Sequence, residues 1–237
     1  MQVRPLSAVP KPAMLLLALG LCAQLCWYFS HPPTRPSPEN LPQPPSLAAL
    51  QLASLGEPIG LSKILLLYLQ SFDDQPGVSA AFRKLDYPRM QTWLELTLQL
   101  DPAGQYPLFL ASHIYGGITD PVKQRQMFNF VYQQFFIDPN RRWESLAFAA
   151  ITTEHKLNDL AQAQKYAQAL RLYTTASTVP DWAKQMDIFM LEDMAQYKQA
   201  STILTALLAS GQITDKYELV FLNERLEQIK AKARSLE

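Results

Sequence analysis

Three histidines and two cysteines are the residues of this chain best suited to metal binding or nucleophilic chemistry. They are His31, His113, His155, Cys22 and Cys26. His155 follows Glu154, but adjacent residues on a helix point about 100° apart, so this pair does not form a chelating site. The sequence has no H-E-x-x-H, G-x-S-x-G or P-loop motif. We therefore expect no catalytic residue, no metal site and no cofactor.

Adjacent carboxylates could act as an acid–base pair if their pKa values differed. Glu192 and Asp193 are such neighbours, and we interpret them as part of a solvated helix face. An enzyme assembled from residues scattered along the chain is the alternative, although no motif indicates one.

The sharpest polar feature is "NRRW", from Asn140 to Trp143. Two arginines at the start of a helix lie at the positive end of its dipole, where they are slightly unfavourable. They could instead bind a carboxylate of another molecule through charge-assisted hydrogen bonds. The resulting hypothesis is a partner-binding site formed by Arg141, Arg142, Trp143 and Glu144, and the alternative is ordinary surface charge.

The segment "MFNFVYQQFF", Met127 to Phe136, is the densest aromatic feature outside the N-terminal region. At helical spacing, four of its residues form one apolar stripe, which predicts core packing. These residues are Phe128, Val131, Tyr132 and Phe135. Met127, Phe130 and Phe136 flank the stripe, and exposure of two or more of them would create a patch typical of a partner site.

Helix boundary signals recur through the chain from residue 46 onward. Asp-Pro pairs begin at Asp101, Asp120 and Asp138, where each aspartate is a candidate N-cap before a proline at the first helical position. Gly116-Gly117 is expected to end a helix in a left-handed cap, and Gly211 is expected to close a later helix. The alternation predicts antiparallel helix pairs with a period in the high thirties.

These pairs resemble tetratricopeptide repeats, whose first helix carries W-x2-L-[small]-x2-[Y/A]. One match to that pattern is Trp143, Leu146, Ala147 and Ala150, and another is Leu108, Ala111, Ser112 and Tyr115. "AQYKQASTILTALL" resembles the second helix of the family, with Ala200 at the small position. The resemblance covers about Leu85 to Gly211, although the units are a few residues longer than in the family. It implies an all-α fold of stacked helix pairs and a groove that holds an extended peptide of another protein.

Upstream, "LAALQLASLG" and "GLSKILLLYLQSF" predict two more helices. The second is apolar nearly all round but too short to span a membrane. We interpret it as a buried helix or a cap on the first repeat.

The composition agrees with an all-α chain and gives no support for nucleic acid as a partner. Lysine plus arginine and aspartate plus glutamate both total 21, so the net charge does not favour nucleic acid. Only 8 glycines occur, whereas alanine, leucine and glutamine, which favour helices, are abundant. Both cysteines lie in the N-terminal apolar segment, so no disulfide framework is expected beyond it.

That apolar segment, Ala13 to Phe29, carries no charged side chain. Its length is at the short end for a transmembrane helix. Leu15, Leu16 and Leu17 would lie in the lipid, while Trp27 and Tyr28 would lie at an interface. Arg4 and Lys11 precede the segment, so the positive-inside rule keeps the N-terminus in the cytoplasm. A cleaved signal peptide is the alternative, but bulky residues and prolines occupy the expected cleavage region.

The resulting domain order is a cytoplasmic N-terminus at 1–12, a membrane anchor at 13–30, a proline-rich spacer at 31–45 and a repeat domain at 46–237. The spacer has seven prolines between Pro32 and Pro45 and would reach roughly 40 Å if fully extended. We expect a non-enzymatic protein of the bacterial inner membrane, with its repeats in the periplasm. It would bind another protein as a scaffold or assembly factor of an envelope complex. The alternative is a dedicated structural subunit of one membrane complex.

Overall fold

The computed structural model describes residues 10–30, 39–75, 81–211, 213 and 215–235 of the chain. Within these ranges every regular element is helical and no strand forms, so the predicted all-α class is confirmed. Predictions that concern residues 1–9, 31–38 and Thr214 lie outside the described residues.

Eleven α-helices follow one another in the described part of the chain. They are α1 Lys11–Ser30, α2 Leu47–Ala53, α3 Pro58–Gln70, α4 Tyr87–Leu100, α5 Tyr106–Phe109, α6 Pro121–Phe135, α7 Pro139–His155, α8 Leu160–Tyr173, α9 Asp181–Asp193, α10 Tyr197–Ala209 and α11 Lys216–Arg234. A π-helical segment, Leu110–Tyr115, continues α5, and a short 3-10 helix, Ala81–Lys84, precedes α4.

Helix α1 has 20 residues, a mean hydropathy of 1.7 over its most apolar window and no buried side chain. It is therefore long and apolar enough to cross a membrane. Helices α2 and α3 together are also apolar enough, but they meet at a bend of 111°. Leu50, Leu66 and Leu69 from this pair are buried in the domain core, in agreement with the interpretation of α3 as a packed helix.

Residues Glu39–Pro45, here called the strap, lie on the helical domain. The Leu41 side chain is fully buried, and Trp93 Nε1 of α4 donates a hydrogen bond to the Pro42 carbonyl at 3.0 Å. Arg89 of α4 also donates to the Leu41 carbonyl. The predicted domain boundary at residue 46 therefore falls too late. Only residues 31–38 separate α1 from the strap, so the spacer is shorter than expected.

The Asp-Pro pairs begin helices in two of three cases. Asp120 caps α6, because its carboxylate accepts hydrogen bonds from the Val122 and Lys123 amides. Asp138 precedes α7 without a side-chain cap, since its carboxylate binds Arg141 instead. The prediction for Asp101 was wrong. This residue ends α4, and the next helix begins only at Tyr106.

The two glycine signals for helix ends also have different outcomes. Helix α10 ends just before Gly211 as expected, and Gly211 has the left-handed φ of +68°. Gly116 has φ −79°, so the prediction of a left-handed cap there was wrong. Glycine is needed at position 116 because there is no room for a side chain. A Cβ at Gly116 would lie 2.5 Å from Cε1 of Phe128 and 2.6 Å from the Ser112 carbonyl oxygen.

From α2 onward, consecutive helices pack on each other, and α7, α8 and α9 make the most extensive contacts. One apolar core runs from the strap to α9, and a second joins α9, α10 and α11. Ala147 and Ala200, which the sequence placed at close helix contacts, are both buried.

Hydrogen bonds recur between side chains and partners that lie 35 or 36 residues away along the chain. Examples are Ser62 with Thr97, Gln70 with Tyr106, Gln91 with Gln126, Gln105 with Arg141, and Asn140 with Thr175. Other long-range hydrogen bonds span 33, 34, 37 or 40 residues, so the interval varies by several residues.

Candidate functional site

Three clefts lie side by side where α3, α5 and α7 line one surface of the domain. Their volumes are about 430, 410 and 240 Å³. Gln105 lines all three clefts, so we treat them as one groove. Its α3 end is bordered by Lys63 and Leu67, and its α7 end by Trp143 and Thr178.

A row of stacked rings forms the most distinctive wall of the groove. Tyr106 stacks on Phe109 at 5.9 Å between centroids, and Phe109 stacks on His113 at 4.5 Å. His113 stacks in turn on Phe148 of α7 at 3.7 Å. The row therefore crosses from α5 to α7. Tyr106 and Phe109 are 47% and 42% exposed, which leaves ring surface available to an apolar side chain of another molecule.

The π-helical segment helps to place these rings. The Gly116 amide donates to the Ala111 carbonyl at 2.8 Å, five residues earlier, rather than to the usual fourth residue. His113 lies in this segment, with its Nδ1 atom 2.8 Å from the Ser112 hydroxyl. Burial lowers the pKa of His113, which favours the neutral ring at pH 7 and an apolar stacking surface.

Polar groups at the groove carry charges of both signs. Gln105 Nε2 donates to the Arg141 carbonyl at 3.2 Å. Arg141 Nε lies 3.1 Å from Asp138 Oδ2, and the arginine side chain is 49% exposed. The exposed Glu144 borders two of the clefts. This combination suits a neutral, partly apolar ligand with hydrogen-bonding groups better than a strongly charged one.

The structure separates the two arginines that the sequence grouped together. Arg142 is only 3% exposed. Its Nη1 donates to the Gln134 carbonyl at 2.8 Å and to Gln134 Oε1 at 3.1 Å, and its Nη2 donates to the Pro102 carbonyl at 3.1 Å. The hypothesis that both arginines bind a carboxylate of another molecule is therefore not supported at Arg142. This residue borders one cleft, but its hydrogen bonds join the end of α6 to the α4–α5 loop at the base of the groove.

The other predicted partner-binding residues lie at the groove. Arg141, Trp143 and Glu144 line the same cleft. Trp143 is half-buried and meets Trp182 edge-on at 5.6 Å. These three residues could reach a bound partner, and their role in binding stays a prediction.

The aromatic segment of α6 belongs mainly to the core. Met127 is fully buried and Phe130 is 5% exposed, whereas Phe136 is 40% exposed. Only one of the three flanking residues is therefore available, so the conditional prediction of a partner patch there is not met.

Glu192 was also misassigned. It is buried, and its Oε1 lies 2.8 Å from Arg225 Nε. An ion pair thus joins α9 to α11, and the predicted solvated face applies only to Asp193.

Sequence reasoning missed the ring row as a feature. Tyr106, Phe109 and His113 are spaced i, i+3 and i+7, which is one face of a helix, but Phe148 joins them only through tertiary packing. Elsewhere in the described residues, no three His, Cys, Asp or Glu side chains converge as a metal site would require.

Comparison with known proteins found no matching family model, no matching curated protein and no matching solved structure.

Proposed function

We propose that this chain is a membrane-anchored protein of tetratricopeptide-like helical repeats, and that its groove binds an extended segment of another protein. The observation that carries the proposal is the row of three clefts that share Gln105 across α3, α5 and α7, with Tyr106 and Phe109 exposed there. Two hydrogen bonds that span 36 residues support a repeated unit: Gln70 with Tyr106 joins α3 to α5, and Gln105 with Arg141 joins the start of α5 to α7.

The chemistry of the groove favours a peptide with apolar or aromatic side chains. Tyr106 and Phe109 offer ring faces, while Gln105 and Glu144 offer a carboxamide and a carboxylate to peptide groups. Arg141 is already paired with Asp138 in an exposed position, so an acidic group of the partner would add only modest affinity there. Apolar contact is therefore the main source of binding in this proposal.

The proposed location is the bacterial inner membrane, with α1 as a single span and the helical domain in the periplasm. Support comes from the apolar, unburied α1 and from Arg4 and Lys11 on its N-terminal side. An alkaline phosphatase fused after Glu237 is expected to be active, and the N-terminal peptide is expected to stay attached. An inactive fusion would contradict the orientation, and a new N-terminus near residue 30 would contradict the anchor.

A photo-crosslinking experiment tests the groove. The full chain carries p-benzoylphenylalanine in place of Phe109, which lies in the ring row, and is irradiated in intact cells. The matched control replaces Phe221 of α11, which is similarly exposed at 52% but lies away from the groove. We expect discrete adducts from position 109 that are absent at position 221. Equal adducts at both positions, or none at position 109, would contradict groove binding.

The same experiment separates the two classes of partner. One stoichiometric adduct would favour a dedicated subunit of a single membrane complex, whereas several adducts would favour a scaffold or assembly factor with many clients.

A further inference from the structure

Helices α2 and α3 expose an unusual amount of apolar surface at the N-terminal end of the domain. We define the α2–α3 corner by four side chains that face solvent there and do not line the groove. These are Leu52 (80% exposed), Leu55 (91%), Ile59 (51%) and Ile64 (62%). Most leucines of the later helices are buried, so this corner is exceptional for a folded domain in water.

The backbone at the tip of the corner is also unusual. Leu55 lies between the two helices with φ +49°, a left-handed conformation that leucine rarely adopts. Glycine or asparagine commonly occupies such a position. A strained leucine that is almost fully exposed gains nothing from the packing of its own domain, which favours contact with another apolar phase.

The tether, residues 31–38 between α1 and the strap, keeps the domain close to the proposed membrane. Helix α1 ends at Ser30 and the strap begins at Glu39, so the intervening chain spans at most about 30 Å.

The side chains of α3 suit contact with a membrane. The exposed face holds Gly60 and Ile64, with Lys63 and the partly exposed Tyr68 beside them, whereas Leu67 borders the α3 end of the groove. Apolar residues flanked by a lysine and a tyrosine are typical of helices at the membrane interface. Between Leu47 and Leu67 the only charged residues are Glu57 and Lys63, so this region has no net charge and does not require anionic lipid.

We propose that the α2–α3 corner inserts into the lipid interface on the side of the membrane that carries the domain, as a second contact beside α1. This inference rests on the proposed anchoring by α1. It goes beyond the groove, because the two contacts together would restrict the orientation of the domain on the bilayer. The tether supplies a high local concentration of lipid, so even a weak contact would be populated.

Site-specific fluorescence in vesicles tests the corner with the full chain. Cys22 and Cys26 are replaced by alanine, Leu55 is replaced by cysteine, and an environment-sensitive dye is attached. The protein is reconstituted at low density into phosphatidylcholine vesicles with or without nitroxide-labelled lipid. The matched control is Leu172→Cys on α8, since Leu172 is 56% exposed. We expect the nitroxide to reduce emission at position 55 at least twofold and to leave position 172 within about a tenth of its original value.

Three further measurements complete the test. A dye on the native Cys22, with Cys26 replaced, reports on α1. If Cys22 is quenched and position 55 is not, the corner proposal is overturned while the anchor stands. If Cys22 is not quenched, the anchor fails and this inference fails with it.

A dye at position 55 that is shielded only at high protein density, without quenching by lipid, would mean that a second copy covers the corner, which also overturns the proposal. Conversely, the charged changes Leu52→Asp and Ile59→Asp, made together, are expected to abolish quenching at position 55 without lowering the melting temperature. Quenching that persists in this variant would contradict insertion through the corner.

Discussion

Adjacent Arg141 and Arg142 provide a direct test of how tertiary packing assigns different roles to identical side chains. Arg142 is buried and donates to the carbonyls of Gln134 and Pro102 and to the Gln134 carboxamide. Arg142→Ala would remove all three hydrogen bonds and leave the Gln134 carboxamide oxygen and the Pro102 carbonyl without this donor, whereas the Gln134 carbonyl still accepts from the Ile137 amide. Arg141→Ala would remove only the exposed ion pair with Asp138.

The size of the effect follows from the number of acceptors. Each buried acceptor left without a partner costs about 1–3 kcal/mol. The variant also no longer buries a charge, which offsets part of the loss. We therefore expect Arg142→Ala to lower the free energy of unfolding by about 3 kcal/mol. For a domain of this size that corresponds to a fall of about 6–12 °C in melting temperature. For Arg141→Ala the expected loss is at most about 1 kcal/mol.

The assay is thermal unfolding of the full chain in mild detergent, followed by circular dichroism at 222 nm, a wavelength that reports helix content. Arg142→Lys is an informative intermediate, because one ammonium cannot reproduce the two-pronged guanidinium geometry, and it should fall between wild type and alanine. Equal melting temperatures for Arg141→Ala and Arg142→Ala would refute the assignment of Arg142 as a buried structural residue.

Three other tests, two of them with a matched control substitution, address the packing and electrostatics of the domain. Burial raises the pKa of Asp73 to about 6, so the folded state holds this proton more tightly than the unfolded state. The contribution to stability is therefore lost as pH rises from about 4 to about 6, and Asp73→Asn should flatten the melting temperature across that range. If the melting temperature varies with pH equally in the variant and in the wild type, Asp73 is not the source of that variation. Gly116→Ala should destabilise by about 1–3 kcal/mol because its Cβ would collide with a phenylalanine ring. Gly60→Ala should be neutral or stabilising, because no atom lies closer than 3.9 Å to its added Cβ. Equal losses of unfolding free energy in the two alanine variants, measured by chemical denaturation, would contradict the close packing at Gly116. Ala200→Leu should cost about 1–3 kcal/mol by overpacking. Exposed Ala206→Leu should change stability by less than about 0.5 kcal/mol, and identical unfolding curves would contradict the placement of Ala200.

Local signals in the sequence predicted those features that depend on few residues. Asp120 begins a helix because its carboxylate binds amides two and three residues away. Gly211 forms a left-handed cap because its lack of a side chain permits that backbone conformation. The same motifs misled at Asp101 and Gly116. Asp101 ends one helix instead of beginning the next, and Gly116 is required by a phenylalanine from another helix.

The candidate groove was only partly predictable. Arg141, Trp143 and Glu144 were found through an unusual run of residues at the start of one helix, and all three line the same cleft. The ring row was not found, because its continuity from His113 to Phe148 depends on how the π-helical segment packs against α7. Contacts between helices cannot be read from the periodicity of either helix alone.

The amino-acid sequence by itself determined the all-helical class, the apolar α1 and most helix boundaries, because these depend on composition, on helical periodicity and on contacts within about four residues. Tertiary structure alone decided which side chains became accessible. It buried Arg142 and left its neighbour Arg141 half exposed, and it laid the strap on α4 although prolines favour an extended chain. The physical reason is that burial depends on which distant helix covers a residue, whereas the sequence specifies only the face on which that residue lies.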